Sequence, residues 1–283
     1  FSCVYCYQNK NEKLMTTEVA NMIIEKIDRI LNDNIFEGIN IHYFGGEPLL
    51  NIPVLIYLDE NIKKITDKIG IVYKAFLTTN GSMLSKELLQ KVKFSSIQLT
   101  FDGLEKTHDR LRVSDHFHFK EEIELIENIM NFSQAKVLLR TNICKENKDE
   151  IIALHKYIFE KFGNERIEIN PNRTIKYHQD DSFEMLSVQE YAEVAYQIKL
   201  LWSEQKGKFE LPVPRSTPCK FPYGNAYAIS PEGYCTFCSG SMDQEKKYFF
   251  DVDIENKKMF SVRKECKKCN ILPLCLGGCI IQY

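Results

Sequence analysis

The chain has 283 residues, 44% hydrophobic and 27% charged, the balance of a soluble globular protein long enough for one α/β domain and a smaller appendage. With 37 basic against 39 acidic residues and a net charge of −2, nothing draws the whole chain to nucleic acid or to an anionic membrane. No stretch approaches the roughly eighteen continuous apolar residues of a membrane span.

The chain opens on a cysteine pair, Cys3-Val4-Tyr5-Cys6. Apolar residues Val19, Met22, Ile23, Ile27 and Ile30 then recur at helical spacing over 17–31. The segment 39–44 predicts a strand ending in Gly45-Gly46-Glu47, and 52–69 a helix. Strands follow at 73–78, 96–101, 136–140 and 166–170, separated by helices over 85–92, 120–132 and 148–162. Five strands alternating with helices imply a parallel sheet. In such sheets chemistry collects at the C-terminal strand ends. Polar or small residues stand at each expected end: Gly45, Gly46 and Glu47; Thr78, Thr79, Asn80 and Gly81; Thr100, Asp102 and Gly103; Arg140 and Asn142; Asn170 and Asn172. Any one of these is an ordinary turn former, but together they predict a shared small-molecule pocket.

A helix over 187–205 leads to the Pro-rich segment 211–218, which marks a domain boundary. The expected domains are 1–205 and 212–283. The second holds seven of the ten cysteines and few apolar residues, so it is expected to need metal to fold. Four of its thiols form the run Cys266-x2-Cys269-x5-Cys275-x3-Cys279, with Cys219, Cys235 and Cys238 upstream. Cysteines clustered at both ends, with only Cys144 in the roughly 200 residues between, suit metal sites in the cytoplasm better than a disulfide framework. Both ends are expected to be clipped, since the chain starts inside one cysteine motif and stops just after another.

The spacing admits a four-thiolate zinc site or iron–sulfur clusters. The opening pair favours clusters, because no partner pair lies near it for zinc.

Phe1-Ser2-Cys3-Val4-Tyr5-Cys6 resembles the second half of the C-x3-C-x2-C signature of radical S-adenosylmethionine (SAM) enzymes, whose first cysteine would lie upstream of Phe1. Gly45-Gly46-Glu47-Pro48 is identical to that family's GGEP motif. Asp102-Gly103, His108-Asp109 and Arg112 resemble a run common in its peptide-modifying members. The resemblance implies a partial (β/α)6 barrel, with Cys3 and Cys6 holding a 4Fe–4S cluster that leaves one iron for SAM. It implies SAM contacts from Tyr5, Gly45, Gly46, Glu47, Pro48, Thr79, Asn80, Thr100, Asp102, Arg140 and Asn142.

The C-terminal region resembles the cysteine-rich SPASM domain. Cys219, Gly233 and Cys238 fit its first part and the cysteine run its second. By resemblance Cys219, Cys238 and Cys279 ligate one auxiliary cluster, and Cys266, Cys269 and Cys275 the other. Cys235 is a candidate fourth ligand of the first, or a buried thiol.

Cys144 reads as a core thiol. His42, His116 and His118 read as non-ligands; the motif member His108 is left open as a ligand or as a structural residue tied to Asp109 or Arg112. The function the resemblance implies is reductive cleavage of SAM to a 5′-deoxyadenosyl radical that modifies a peptide or protein, with flavodoxin or ferredoxin as reductant. The expected product is a thioether, C–C or related crosslink. The first alternative is an anaerobic sulfatase maturase forming formylglycine; such enzymes carry an Asp after the cysteine that Cys238 matches, where this chain has Ser239. The second is a non-catalytic metal-binding protein.

Overall fold

The computed structural model describes residues 1–8, 13–163, 166–176, 182–207, 226–236, 247–249 and 264–268. Cys219, Cys238, Cys269, Cys275, Cys279 and the segment 211–218 lie outside them. The chain divides into two compact units, Phe1–Glu12 with Leu31–Phe209, and Lys13–Ile30 with Glu210–Tyr283.

The first unit is built on five parallel strands in sequential order: β1 (Gly38–Tyr43), β2 (Val72–Thr78), β3 (Phe94–Thr100), β4 (Lys136–Ile143) and β5 (Ile167–Arg173). This is the α/β sheet predicted from sequence. Strand β4 runs three residues beyond the expected end, because Thr141, Asn142 and Ile143 pair with Pro171, Asn172 and Arg173. Pro171 is tolerated because β5 is an edge strand among the described residues. Helices follow the strands: α2 (Ile52–Ile69), α3 (Lys86–Lys91), α5 (Phe119–Phe132), α6 (Ile151–Phe162) and α7 (Val188–Lys206). A short helix the periodicity did not predict, α4 (Glu105–Leu111), follows β3 and carries His108 and Asp109. It is too short, and too mixed in polarity, to show a helical stripe.

Alternation along the strands splits the sheet into two faces. Ile41, Ala75, Leu77, Ile97, Leu99, Val137, Leu139 and Ile167 pack into one core with Leu55, Leu88, Ile126, Ile129, Leu154, Ile158 and Trp202 of the helices. Complete burial of each such side chain contributes about 1.5–3 kcal/mol. The opposite face carries Asn40, His42, Thr78, Ser96, Gln98, Arg140 and Asn170, all exposed or half-buried.

Helix α1 (Thr17–Asp33), whose residues to Ile30 belong to the second unit, buries Ala20, Ile23 and Ile27 on one face. A small antiparallel sheet joins β6 (Ala228–Ile229), β7 (Tyr234–Thr236) and β8 (Lys247–Tyr248). Glu265–Lys268 forms a 3-10 turn.

Candidate cofactor site

The strand ends gather two hydrogen-bonded clusters. At the end of β1 the backbone turns at Gly45, whose φ of 151° suits glycine. Pro48 then starts a 3-10 turn, Pro48–Asn51. Glu47 caps that turn: its Oε1 accepts from the Leu49 N–H at 3.0 Å and from the Thr79 hydroxyl at 2.7 Å. The Asn80 N–H donates to Oε2 at 2.7 Å. One carboxylate thus ties the β1 end to the β2 end. Burial pushes its carboxyl above the ordinary range, while the three donors and Arg112 pull it back.

The second cluster centres on Asp102, which is fully buried just past β3. Its Oδ1 accepts from the Asn142 N–H at 2.7 Å, and the Tyr5 hydroxyl donates to its Oδ2. Gly103 must be glycine: φ is +149°, and a Cβ would stand 2.9 Å from the Thr107 side chain. Asn147, also buried, donates to the backbone carbonyls of Asp102 (2.8 Å) and Asn142 (2.9 Å). Its own oxygen accepts from the Cys144 N–H at 2.9 Å. The β3 and β4 ends are therefore locked together, and Tyr5 fastens the cysteine loop to that lock. Burial raises both the Asp102 carboxyl and the Tyr5 phenol above their ordinary values.

The cysteine loop has a second anchorage. Ser2 N–H donates to the Val113 carbonyl at 2.8 Å, and Val4 N–H to the Leu111 carbonyl at 3.1 Å. The Cys6 N–H donates to the Cys3 carbonyl at 3.2 Å, folding the loop into a turn that carries both cysteines. Burial pushes the Cys3 thiol up. Gln8 reaches the β1 turn, its Oε1 3.6 Å from where a Gly46 Cβ would stand.

Behind α4, His108 and Glu122 are completely buried, with Nε2 3.2 Å from Oε2. Glu122 Oε1 also accepts from the Thr100 N–H at 3.2 Å. The expectation that His108 is tied to Asp109 or Arg112 is therefore corrected. Asp109 is half-buried and accepts from the Phe119 N–H at 2.8 Å, because α4 turns residues 108 and 109 to different sides.

Of the site residues expected from sequence, the structure brings Glu47, Thr79 and Asn80 into one cluster and Tyr5, Asp102 and Asn142 into the other. Arg140 lies beside the second, its Nε donating to Asn142 Oδ1 at 2.8 Å. Gly45, Gly46 and Pro48 shape the turn that presents Glu47, and Thr100 is buried with its backbone on Glu122. Cys235 is buried on β7, Sγ 3.9 Å from the Thr236 carbonyl oxygen, and burial lifts its thiol to about 11. Cys266 is half-buried in the 3-10 turn. Cys144 is fully buried against Leu111 and Phe183, as a core thiol should be.

Sequence reading missed Asn147 and Glu122. Asn147 left no signal. Glu122 did: with Phe119, Ile123, Ile126 and Ile129 it falls on the apolar stripe of α5, where a lone carboxylate needs a buried partner.

The polar sheet face below the strand ends carries a side-chain ladder. His42 Nε2 lies 2.8 Å from Thr78 Oγ1, which also accepts from Gln98 at 3.4 Å. Asn170 donates to Gln98 at 3.2 Å and Asn172 to Asn170 Oδ1 at 3.0 Å.

Cys3 and Cys6 present two thiols, and among the described residues no third His, Cys, Asp or Glu groups with them for a metal. The surroundings nevertheless fit an anionic iron–sulfur cluster. The buried Arg112 Nε lacks a hydrogen-bond partner among the described residues, a cation held where thiolates would need one.

A sequence profile described as the Radical SAM superfamily matches residues 1–158. The radical SAM cyclopropyl synthase TigE of Paramaledivibacter caminithermalis is 24% identical over 99% of this chain and 65% of its own length. An uncharacterised protein of Methanocaldococcus jannaschii, MJ0907, is 33% identical over 37% of this chain and 35% of its own. The chain thus spans under two thirds of either curated relative. Among solved structures, anSMEcpe with bound AdoMet and a Kp18Cys peptide superposes with a TM-score of 0.73 at 19% identity, covering 98% of this chain and 84% of that one. Streptococcus suis SuiB bound to S-adenosylmethionine gives 0.60 at 17% identity, over 99% and 68%. At these identities the superpositions establish the fold.

Proposed function

This chain belongs to the radical SAM superfamily, and from that premise we propose that it modifies a peptide or protein substrate by radical chemistry. The observation that carries the proposal is the anchorage of the Cys3–Cys6 loop, through Tyr5 and Asp102, against strand ends that also hold Glu47. A 4Fe–4S cluster with SAM bound would supply the electron that splits SAM and the 5′-deoxyadenosyl radical that takes a substrate hydrogen.

The chain's own part is to position and to exclude water. Cys3 and Cys6 would hold two irons. Glu47, fixed by three donors, would meet the SAM amino group at the β1–β2 end. Asn80, Thr100, Arg140 and Asn142 would line the rest of the SAM pocket. Cys219, Cys238 and Cys279, with Cys235 as a fourth ligand, would hold one auxiliary cluster; Cys266, Cys269 and Cys275 would hold the other. Cys219, Cys238, Cys269, Cys275 and Cys279 lie outside the described residues, so the SPASM assignment rests on the family resemblance of the cysteine pattern. The reductant class is a flavodoxin or ferredoxin and the compartment the cytoplasm. No helix among the described residues is long and apolar enough to cross a membrane.

The likenesses to a cyclopropyl synthase over nearly the whole chain and to a structure holding a peptide support peptide modification, with C–C or thioether bond formation as the reaction class. Anaerobic reconstitution of the full-length protein with iron and sulfide tests this. Iron near the content of three 4Fe–4S clusters, 5′-deoxyadenosine released from SAM under reduction, and loss of that release in Cys6→Ala are expected. A mass change in a short peptide encoded beside the gene identifies the substrate class. Formylglycine in a co-encoded sulfatase would replace crosslinking by the maturase reading. Zinc binding without SAM cleavage would refute the enzyme.

A further inference from the structure

Arg112 terminates α4 with only 6% of its surface exposed. The bonds Ser2 N–H to Val113 and Val4 N–H to Leu111 share one antiparallel register, in which residue 3 stands opposite residue 112. The guanidinium lies over the Phe1 ring, 5.2 Å from its centroid. Its Nε is 4.0 Å from Glu122 Oε2 and makes no hydrogen bond among the described residues. Glu122 Oε1 accepts from the Thr100 N–H, while Oε2 lies 3.2 Å from His108 Nε2 and makes no hydrogen bond among the described residues. A buried guanidinium carries a desolvation cost that one shared carboxylate at 4.0 Å offsets only in part. The other groups acting on its charge are Tyr5 and Cys3 of the cysteine loop and the Asp102 carboxylate to which Tyr5 is bonded.

We propose that Arg112 is the charge-compensating residue of the SAM-binding cluster: a permanent cation opposite Cys3 that sets the cluster's reduction potential, with Glu122 opposing it. The inference rests on the proposed ligation of the cluster by Cys3. One-electron reduction makes a thiolate-bound cluster more negative, and nearby charge is one of the levers on its potential. A fixed cation stabilises the reduced form and raises the potential, whereas a fixed carboxylate lowers it. Arginine suits the position because it stays charged when buried. At about 10 Å and an effective dielectric near 20, one charge changes the ratio of reduced to oxidised cluster by about tenfold.

The test is a redox titration of the full-length, anaerobically reconstituted protein, with dithionite as electron donor. It follows the EPR signal that changes when SAM is added, which isolates the cluster with an open iron. Arg112→Met should move the midpoint to a more negative value, with about tenfold less reduced cluster at a fixed potential. Arg112→Lys should fall between wild type and Arg112→Met, because a buried ammonium gives up its proton more readily than a guanidinium, and Glu122→Gln should move the midpoint the opposite way. If Arg112→Met does not assemble its cluster, Glu122→Gln decides: a more positive midpoint supports the assignment, and an unchanged or more negative one overturns it. Wild-type cluster with an unmoved midpoint in Arg112→Met overturns this inference alone. A wild-type protein that binds no iron overturns the proposed function as well.

Discussion

Replacing Asn147 with alanine tests whether the site is held together from behind. Its side chain makes three buried hydrogen bonds: two donated to the Asp102 and Asn142 carbonyls at 2.8 and 2.9 Å, one accepted from the Cys144 N–H at 2.9 Å. Alanine leaves all three backbone groups without that partner in a place where Asn147 itself is only 1% exposed. Each orphaned group costs about 1–3 kcal/mol, so the expected loss is about 3 kcal/mol or more. The damage is local first. Asp102 and Asn142 lose the strut that holds their loops together, and the Tyr5 anchorage of the cysteine loop loosens with them. Hydrogen exchange of the Cys144 amide and a urea titration of the first unit's signal read both effects. The amide should exchange at least about tenfold faster, and the midpoint should fall. An amide at the wild-type rate with a midpoint within about 0.5 kcal/mol would refute the strut.

Glu47→Ala removes the acceptor of three donors and the group proposed to meet SAM; SAM affinity, measured by equilibrium dialysis of reconstituted protein, should weaken at least about tenfold for lost charged hydrogen bonds, and unchanged affinity contradicts the role. His155 is completely buried between Thr141 and Trp202, whose Nε1–H donates to Nδ1 at 3.1 Å, and burial lowers its pKa from 6.5 to about 4. Its folded value is depressed, so its contribution is complete above pH 6.5 and is lost as pH falls toward about 4, at about 1.4 kcal/mol per pH unit. His155→Gln should flatten that part of the pH–stability curve, and an equally steep variant would contradict it. Arg166 donates to the carbonyls of Ile129, Met130, Ser133 and Ala135 and so closes the C-terminus of α5. Arg166→Met should cost about 2–4 kcal/mol in thermal or urea unfolding, and a near-neutral result would show that water replaces it.

Strand-like runs separated by helical stripes announced a parallel sheet, since alternation and amphipathicity are properties of neighbouring residues. The same local logic placed Glu47, Thr79, Asn80, Asp102 and Asn142 at strand ends, and the cysteine spacings pointed to metal. It could not find α4, whose seven residues hold too little periodicity, nor choose the partner of His108, because Glu122 comes from another helix. Asn147 was invisible for a related reason: an asparagine in a loop is ordinary until two strand ends close around it. Arg112 stood in a recognised run, but only the register of 2–4 against 111–113 sets it opposite Cys3.

By itself the sequence determined which residues could supply chemistry and on which elements they ride, because periodicity and spacing are written along the chain. Only the tertiary structure decided which of them meet. The carboxylates of Glu47, Asp102 and Glu122 take donors as far as 97 residues away in sequence, for Asp102 and Tyr5, and long-range pairing follows from how the helices and sheet pack.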